Sequence, residues 1–278
     1  MKIKKFSEFL FEKENVKELR LCFVGDIMQH DKVVTDDSFE NVRSLLKSAD
    51  ICVGNLETII TGENNNEIID GQIKFSADES LIKVLKNVGF THLSLINNHS
   101  LDYGIAGFQK SQTAVAKEIK ILSKETEISK NDHKINLVNF TTHVNNNINN
   151  EFSDHLMTPD GYSSKAKSIN IGYIHWGGQY NPKPDSEQKS LASNLINNGY
   201  PIVIGSGPHV NHKVVRDGES IIAYSLGDFI SKHNDDRAKD QGKILIIDFK
   251  NDIIDNVMVY TTQTDKNNVI QIKKREII

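Results

Sequence analysis

The chain has 278 residues, and its 38% hydrophobic and 25% charged residues are typical of a globular protein with a sizeable core. A net charge of -4 and a pI near 6.2 exclude an electrostatic basis for nucleic acid or an anionic membrane as the main partner. No segment approaches the roughly 18 consecutive apolar residues of a membrane-spanning helix. Cys22 and Cys52 both lie in apolar runs, which favours buried free thiols over a disulfide framework.

Residues 1–18 predict an amphipathic extension, separate from a single domain over 19–278. Phe6, Phe9 and Leu10 share one helical face, and interspersed glutamates exclude the apolar core of a secretory signal. We therefore expect a cytoplasmic protein without a membrane partner. The oligomeric state has no signal in the sequence.

Short apolar runs then alternate with segments of helical periodicity. Helices are predicted at 38–48, 78–88, 104–119 and 186–197. Strands are predicted at 19–24, 50–53, 92–96, 136–140, 169–174, 201–204, 220–225 and 243–249, with further strands near 253–261 and 268–273. Strand–helix units followed by a strand-rich last third predict a layered α/β fold. The segment 141–168 lacks periodicity and is predicted to be a surface insertion.

Six of the predicted strands end in the same way, in a short burst of glycine with acidic, amide or imidazole side chains. These residues are Asp26 and His30, Asn55 and Glu57, Asn97, Asn98 and His99, His175, His209 with His212, and Asp228. Taken singly, each is also typical of a strand-end turn, a helix N-terminal acid or a structural histidine. Because the carboxyl ends of parallel strands meet at one edge of a sheet, the sixfold repetition favours one shared site.

Convergent carboxylate, amide and imidazole groups suit a pair of divalent cations, since carboxylates neutralise charge while the other ligands add none. The nitrogen and oxygen ligand set favours Mn, Fe or Zn, with two ions per chain. Asp102, three residues after His99, is suitably spaced to orient that imidazole. The other histidines are predicted to be loop or surface residues: His92, His133, His143, His155 and His233.

The same stretches resemble the bacterial capsule synthesis protein family (CapA/PgsA-like, poly-γ-glutamate capsule type), which is related to the calcineurin-like metallophosphoesterases. The resemblance spans about residues 20–231. Its motifs, in the family's order, are "FVGDIM", "GNLET", "NNHSLDYG", "HWGGQY", "GPHV" and "YSLGDFI". It implies a four-layer αββα sandwich with a dinuclear metal centre at the edges of the sheets.

The resemblance also implies roles for individual residues. Either Asn55 or Glu57 would take the position of the bridging carboxylate, and His99, supported by Asp102, would contact the substrate and protonate the leaving group. The full set of implied metal ligands is Asp26, His30, Asn55, Glu57, Asn98, His175 and His209.

Three positions depart from the family pattern. Gln179 stands where the family usually has glutamate, Asp228 where it has asparagine, and Gly207 where a further histidine is frequent. His30 and His212 are the candidates to replace that histidine. The membrane anchor expected of capsule-assembly members is also not found in this sequence.

The leading hypothesis is a metal-dependent hydrolase that cleaves a phosphoester of a small molecule or a polymer. Two alternatives remain open. The site would act instead in synthesis of poly-γ-glutamate or a related polymer, or the protein would be a non-catalytic binding protein with a degraded metal site. Gln179 and Gly207 favour the last alternative.

Overall fold

The structure is a computed structural model that describes residues 16–29, 32–69, 72–142, 163–231 and 240–278. Residues 1–15 of the predicted N-terminal extension and most of the 141–168 insertion lie outside these residues, as do His143, His155 and His233. The described helices are α1 (Arg43–Lys47), α2 (Ser80–Val88), α3 (Gly104–Ala116) and α4 (Ser186–Asn197), with a 3-10 helix at Asp36–Phe39. No helix in these ranges is long and apolar enough to cross a membrane.

Two large sheets account for most of the strands. The first consists of β1 (Glu18–Ile27), β2 (Ile51–Leu56), β7 (His92–Ser94), β8 (Lys120–Ile121), β15 (Asp228–Ile230), β16 (Gln241–Lys250), β17 (Ile253–Thr264) and β18 (Ile270–Ile277). Its order is β18-β17-β16-β1-β2-β7-β8, with β15 also pairing with β1. The strands β1, β2, β7, β8 and β15 run parallel to one another, whereas β16 to β18 form an antiparallel extension.

The second sheet consists of β9 (Glu125–Lys130), β10 (His133–Thr141), β11 (Ile169–His175), β12 (Ile202–Ser206), β13 (Val214–Asp217) and β14 (Ser220–Ala223). Its order is β13-β14-β12-β11-β10-β9, with a parallel centre of β10, β11, β12 and β14. Two small ribbons complete the strands: β3 (Ile59–Ile60) with β6 (Ser76–Ala77), and β4 (Glu67–Ile69) with β5 (Gln72–Lys74).

Alternation along β1 shows how the layers form. Leu21 and Phe23 belong to a buried cluster that also contains inward residues of the second sheet, such as Ile171. Cys22 and Val24 point the other way, into a cluster with α1, α2 and α3. Because successive strand side chains face opposite sides of a sheet, every central strand is buried on both faces.

A third cluster covers the outer face of the second sheet, where Leu195 of α4 packs with Ile174 and Val203. Helices therefore cover both outer faces, and the two sheets pack on each other between them. This is the predicted four-layer αββα sandwich. Cys22 and Cys52 are buried and free, also as predicted.

The predicted strands and helices agree with the structure in kind and, within a few residues, in extent. Residues 38–48 are an exception, because a 3-10 turn and the short α1 replace a single helix. Eight of the described strands were not predicted: the short β3, β4, β5, β6, β8 and β15, and the edge strands β9 and β13, which contain few apolar residues. The prediction that His92 and His133 are loop or surface residues is wrong, because both begin strands and are buried.

Candidate metal centre

The centre is built around Asp26, near the end of β1. The register pairs Asp26 with Asn55 of β2 on one side and with Asp228 of β15 on the other. The Asn55 side-chain amide donates to Asp26 Oδ1 over 2.7 Å, and the backbone N–H of Gly207, after β12, donates to Asp26 Oδ2 over 3.0 Å. Strand ends from both sheets therefore come together at the Asp26 carboxylate.

Glu57 lies beside Asp26, in the turn that follows β2, and its side chain is fully buried. Three imidazole nitrogens surround its Oε1 atom: His175 Nε2 at 3.8 Å, His99 Nε2 at 3.9 Å and His209 Nε2 at 4.0 Å. Neither carboxylate oxygen of Glu57 has a hydrogen-bond partner among the described residues. Such separations are too long for hydrogen bonds and leave room for another group.

Two of these histidines are oriented by the strands that carry them. His175 ends β11, with its Nδ1 atom 3.2 Å from the Ser206 hydroxyl at the end of the neighbouring β12. His209 follows β12, and its Nδ1 atom lies 2.9 Å from Asp228 Oδ1 and 3.8 Å from Asp26 Oδ2. The two rings thereby direct their Nε2 atoms toward Glu57.

Burial and neighbouring charges shift the pKa values of the two central carboxylates, Asp26 and Glu57, in opposite directions. Burial opposes ionisation of Asp26, but the nearby imidazoles of His175 and His209, with the hydrogen bond from Asn55, hold the pKa of Asp26 well below its usual range. Burial raises the pKa of Glu57 well above its usual value, and the negative charges of Asp26 and Asp228 raise it further. In the absence of a cation, the protein thus disfavours the ionised form of Glu57.

The pKa values of His175 and His209 also shift in opposite directions. Burial lowers the pKa of His175, even though the Asp26 carboxylate, 3.6 Å from its Nδ1 atom, acts in the opposite direction. For His209, burial lowers the pKa, but the Asp228 carboxylate more than offsets this, so that the net shift is upward.

His99 and Asp102 form a dyad next to Glu57. His99 Nδ1 lies 2.7 Å from Asp102 Oδ2, and the same carboxylate oxygen accepts the backbone N–H of Phe75 over 3.0 Å. The Phe75 ring packs edge-on against the imidazole with 4.6 Å between centroids. The dyad therefore presents His99 Nε2 toward the centre in a fixed orientation.

Asn97 braces the surrounding loop, a role that the sequence did not indicate. Its amide N–H group donates to Asn55 Oδ1 over 3.0 Å and to the Leu56 carbonyl over 2.9 Å, while its Oδ1 atom accepts the His99 backbone N–H over 3.0 Å. Asn98 differs, because it is fully buried and both polar atoms of its amide lack partners among the described residues.

The donor set fits divalent cations. Two triads have ligand atoms within 4.8 Å of one another: Asp26, Glu57 and His175, and Asp26, His209 and Asp228. Every ion pair of Asp26 and Glu57 in the described chain is to a histidine, so that no lysine or arginine compensates these carboxylates. Buried polar groups are normally satisfied, and the orphaned oxygens of Glu57 and Asn98 are those that a cation would bind.

Seven of the nine predicted site residues are linked to one another by contacts of 4.0 Å or less: Asp26, Asn55, Glu57, His99, Asp102, His175 and His209. Asn98 directly precedes His99 and is buried. His30 lies outside the described residues. Of the two candidates for the bridging position, Glu57 has free oxygens, whereas Asn55 is engaged by Asp26 and Asn97. Asp228 enters the centre although the sequence assigned it no ligand role.

The departures from the family pattern have local explanations. Gly207 has a φ of +113°, and a Cβ atom there would lie 2.6 Å from the Trp176 carbonyl, so this backbone does not accept a histidine. His212 does not replace it, because its Nε2 atom lies 2.9 Å from the Asn181 carbonyl and it belongs to neither triad. Gln179 is exposed in the loop after β11.

Several known proteins are similar to this chain. The sequence profile of the bacterial capsule synthesis protein PGA_cap matches residues 20–233. The PGA biosynthesis protein CapA of Bacillus subtilis (strain 168) is 27% identical over 253 residues, covering 81% of this chain and 67% of that protein. The capsule biosynthesis protein CapA of Bacillus anthracis is 30% identical over 272 residues, covering 84% of this chain and 64% of that protein. The chain thus spans about two thirds of the length of these relatives.

Among solved structures, a hypothetical protein from Thermus thermophilus is similar with a TM-score of 0.52 and 12% sequence identity. The match covers 94% of this chain and 99% of that one. At this level of identity the similarity supports the fold alone.

Proposed function

The chain belongs to the bacterial capsule synthesis protein family, and we propose that it is a metal-dependent hydrolase that cleaves a phosphoester. The observation that carries the proposal is the meeting of His99 Nε2, His175 Nε2 and His209 Nε2 around the unpartnered carboxylate of Glu57. A purely structural site would instead pair this buried carboxylate with a donor within the protein.

The ligand set divides into two groups that share Asp26. Glu57 and His175, with the amide oxygen of Asn98, would hold one divalent cation, and His209 with Asp228 would hold the other. Bound cations of this kind supply Lewis acidity toward phosphoryl oxygens and lower the pKa of a coordinated water. Mn, Fe and Zn suit a site that combines imidazole with carboxylate.

His99 is the proposed general acid, and Asp102 is its positioning residue. The hydrogen bond from His99 Nδ1 to Asp102 holds the proton on that nitrogen, so Nε2 faces the reacting atoms. In the protonated imidazole, Nε2 donates its proton to the leaving oxygen of the phosphoester. The backbone N–H of Phe75 keeps the Asp102 carboxylate in place while this happens.

The test uses full-length protein reconstituted with Mn²⁺, Fe²⁺ or Zn²⁺ and assayed on generic phosphomonoesters and phosphodiesters. We expect turnover that chelators remove and that His99→Ala lowers by about 10²–10⁴-fold, the usual contribution of a general acid. Metal content should be unchanged in His99→Ala. Turnover that survives both the chelator and the substitution would rule the mechanism out.

A second candidate function is a part in polymer biosynthesis, favoured by the names of the two Bacillus relatives. In that case the same centre would act on amide bonds or polymer ends. Incubation of the metal-loaded protein with poly-γ-glutamate, followed by sizing of the polymer, distinguishes the two. A change in polymer length without phosphoesterase activity supports the second function.

Metal analysis separates both enzymatic functions from the remaining alternative, a binding protein with a degraded site. The two triads predict two tightly bound divalent ions per chain. Fewer than one ion per chain after reconstitution would favour the binding protein.

A further inference from the structure

Two non-glycine residues beside the metal centre have left-handed backbones, Tyr180 with a φ of 60° and His209 with a φ of 57°. The other such residues in the described chain lie away from the centre and are mostly asparagine or aspartate: Asn131, Asp132, Lys167, Asp240, Asn251, Asp252 and Asn268. Asparagine and aspartate tolerate this conformation, whereas a bulky aromatic residue rarely adopts it. Tyr180 is therefore held in a costly conformation at a functional site.

Hydrogen bonds between two loops impose this conformation. The backbone N–H of Tyr180 donates to the Pro208 carbonyl over 2.7 Å, next to His209. One residue further on, the Asn181 carbonyl lies 2.9 Å from His212 Nε2. The loop after β11 is thus fastened to the loop after β12, and the position of Tyr180 follows from that of His209.

The Tyr180 ring stands at the rim of the centre. Its centroid lies 5.8 Å from that of the His209 imidazole, with 41° between the ring planes, and the residue is only partly buried. Phe75, the aromatic neighbour of His99, is 4% exposed and so offers little surface to a ligand. On the His209 side, by contrast, the partly buried Tyr180 ring borders the polar groups that would bind a phosphoryl group.

From this geometry, and resting on the proposed phosphoesterase function, we infer that Tyr180 contacts the substrate. Its ring packs against an apolar or planar organic group of the phosphoester and thereby selects substrates that carry one. Glycine would adopt the same φ without strain, so the backbone alone does not account for a tyrosine here. An amphipathic ring beside a polar centre is a common way to bind the organic part of a ligand.

The experiment compares two probes that contain a phosphoryl group but are not hydrolysed, phenylphosphonate and methylphosphonate. Their affinities for metal-loaded full-length protein are measured by calorimetry in the wild type, Tyr180→Phe, Tyr180→Gly and Lys167→Gly. The last variant relaxes another left-handed residue, φ 59°, at an exposed turn. It controls for the backbone effect of introducing glycine.

We expect the wild type to bind phenylphosphonate about 10-fold more tightly than methylphosphonate, as contact with an aromatic ring would provide. Tyr180→Phe and Lys167→Gly should keep this preference. Tyr180→Gly should reduce it to about 2-fold or less, with methylphosphonate affinity and metal content unchanged and with thermal stability equal or higher, because the strain is removed.

Three outcomes would overturn the inference. A wild type without a preference, or one that binds neither probe, shows no such contact. A preference that persists in Tyr180→Gly places the organic group elsewhere, and loss of metal in that variant makes Tyr180 a structural support of His209. Because neither probe turns over, a protein that keeps the predicted preference but hydrolyses no phosphoester contradicts the proposed function alone.

Discussion

Acidic side chains at the two ends of the sandwich differ in whether they have hydrogen-bond or ion-pair partners. At the amino edge, where the parallel strands begin, Arg20 makes a two-pronged ion pair with Asp248 at 2.6 and 2.9 Å. Asp50 accepts hydrogen bonds from the Arg20 backbone and the Asn131 side chain, both at 2.9 Å. At the carboxyl edge, Glu57 is buried without a hydrogen-bond partner in the described chain.

The difference shows where the protein compensates charge by itself and where it does not. Partly exposed acids at the amino edge pair with basic and amide groups, and water completes their solvation. At the carboxyl edge, burial removes that solvation, and in the described chain the ion-pair partners of Asp26 and Glu57 are all histidines. Keeping a surplus of buried oxygens destabilises the metal-free fold and prepares a cation site.

Substitution of Glu57 is expected to have the largest effect, because this carboxylate, at the carboxyl edge, is buried without a hydrogen-bond partner in the described chain. In Glu57→Gln we expect metal affinity to fall by at least about 100-fold, since even outer partners of a metal contribute about 10–100-fold. The metal-free variant should be more stable than the metal-free wild type by about 1–3 kcal/mol, because glutamine is neutral, whereas Glu57 must either take up a proton or stay ionised without a partner. Calorimetric metal titration and urea unfolding in chelator measure the two effects.

The exposed Glu276, in β18, provides a matched control for Glu57. Glu276→Gln should leave metal affinity unchanged and alter the free energy of unfolding much less than Glu57→Gln does. If Glu57→Gln destabilised the metal-free protein, the carboxylate would have a partner within the fold and the contrast between the two ends would fail.

Substitution of Asp102 separates orientation of His99 from metal binding. Asp102→Asn keeps the shape of the side chain but no longer holds the Nδ1 proton of His99, so Nε2 faces the centre in the wrong tautomer more of the time. We expect turnover to fall by about 10²–10³-fold, within the range for loss of a general acid. Metal stoichiometry, measured by elemental analysis, should stay at the wild-type value; loss of metal would instead make Asp102 part of the ligand framework.

His92 at the amino edge should make the stability of the protein depend on pH. Burial, with a smaller effect of Lys120, lowers the pKa of His92 from 6.5 to about 4. The unfolded chain therefore binds more protons than the folded one between these values, and stability is lost as the pH falls from 6.5 toward 4. In chelator, the wild type should lose about 2 kcal/mol more than His92→Gln between pH 7 and pH 5, as follows from these two pKa values.

Urea unfolding at the two pH values measures this difference directly, because the titration of the carboxyl edge is common to both proteins. Equal pH dependence in wild type and His92→Gln would mean that His92 becomes protonated without unfolding.

The smallest expected effect belongs to the amino-edge ion pair. Asp248→Asn should lower the free energy of unfolding by about 1 kcal/mol, because the pair is partly exposed. Asp255→Asn, which breaks a more exposed pair with Lys250, should lower the free energy of unfolding by less than Asp248→Asn does. Neither should change metal affinity or turnover. A change in metal affinity in Asp248→Asn would show that the two ends of the sandwich are coupled.

Local sequence was informative wherever one face or both faces of a strand are buried. The uninterrupted apolar runs of β2, β11 and β12 predict buried parallel strands, and the residues after them predict the carboxyl edge. The edge strands β9 and β13 escaped prediction, because one exposed face and few apolar residues leave no periodic signal. His92 and His133 were misjudged for a related reason, since burial of a strand's first residue depends on what packs over it.

By itself, the sequence determined the layered α/β class and the strand ends that carry polar side chains, and it predicted seven of the residues that the structure brings together, because hydrophobic periodicity and strand-end chemistry are local properties. Only the tertiary structure decided that Glu57 rather than Asn55 keeps free oxygens, that Asp228 joins Asp26, and that Tyr180 borders His209. These facts depend on strand register and on contacts between the two sheets. Such distances join residues far apart in the chain, and no local pattern encodes them.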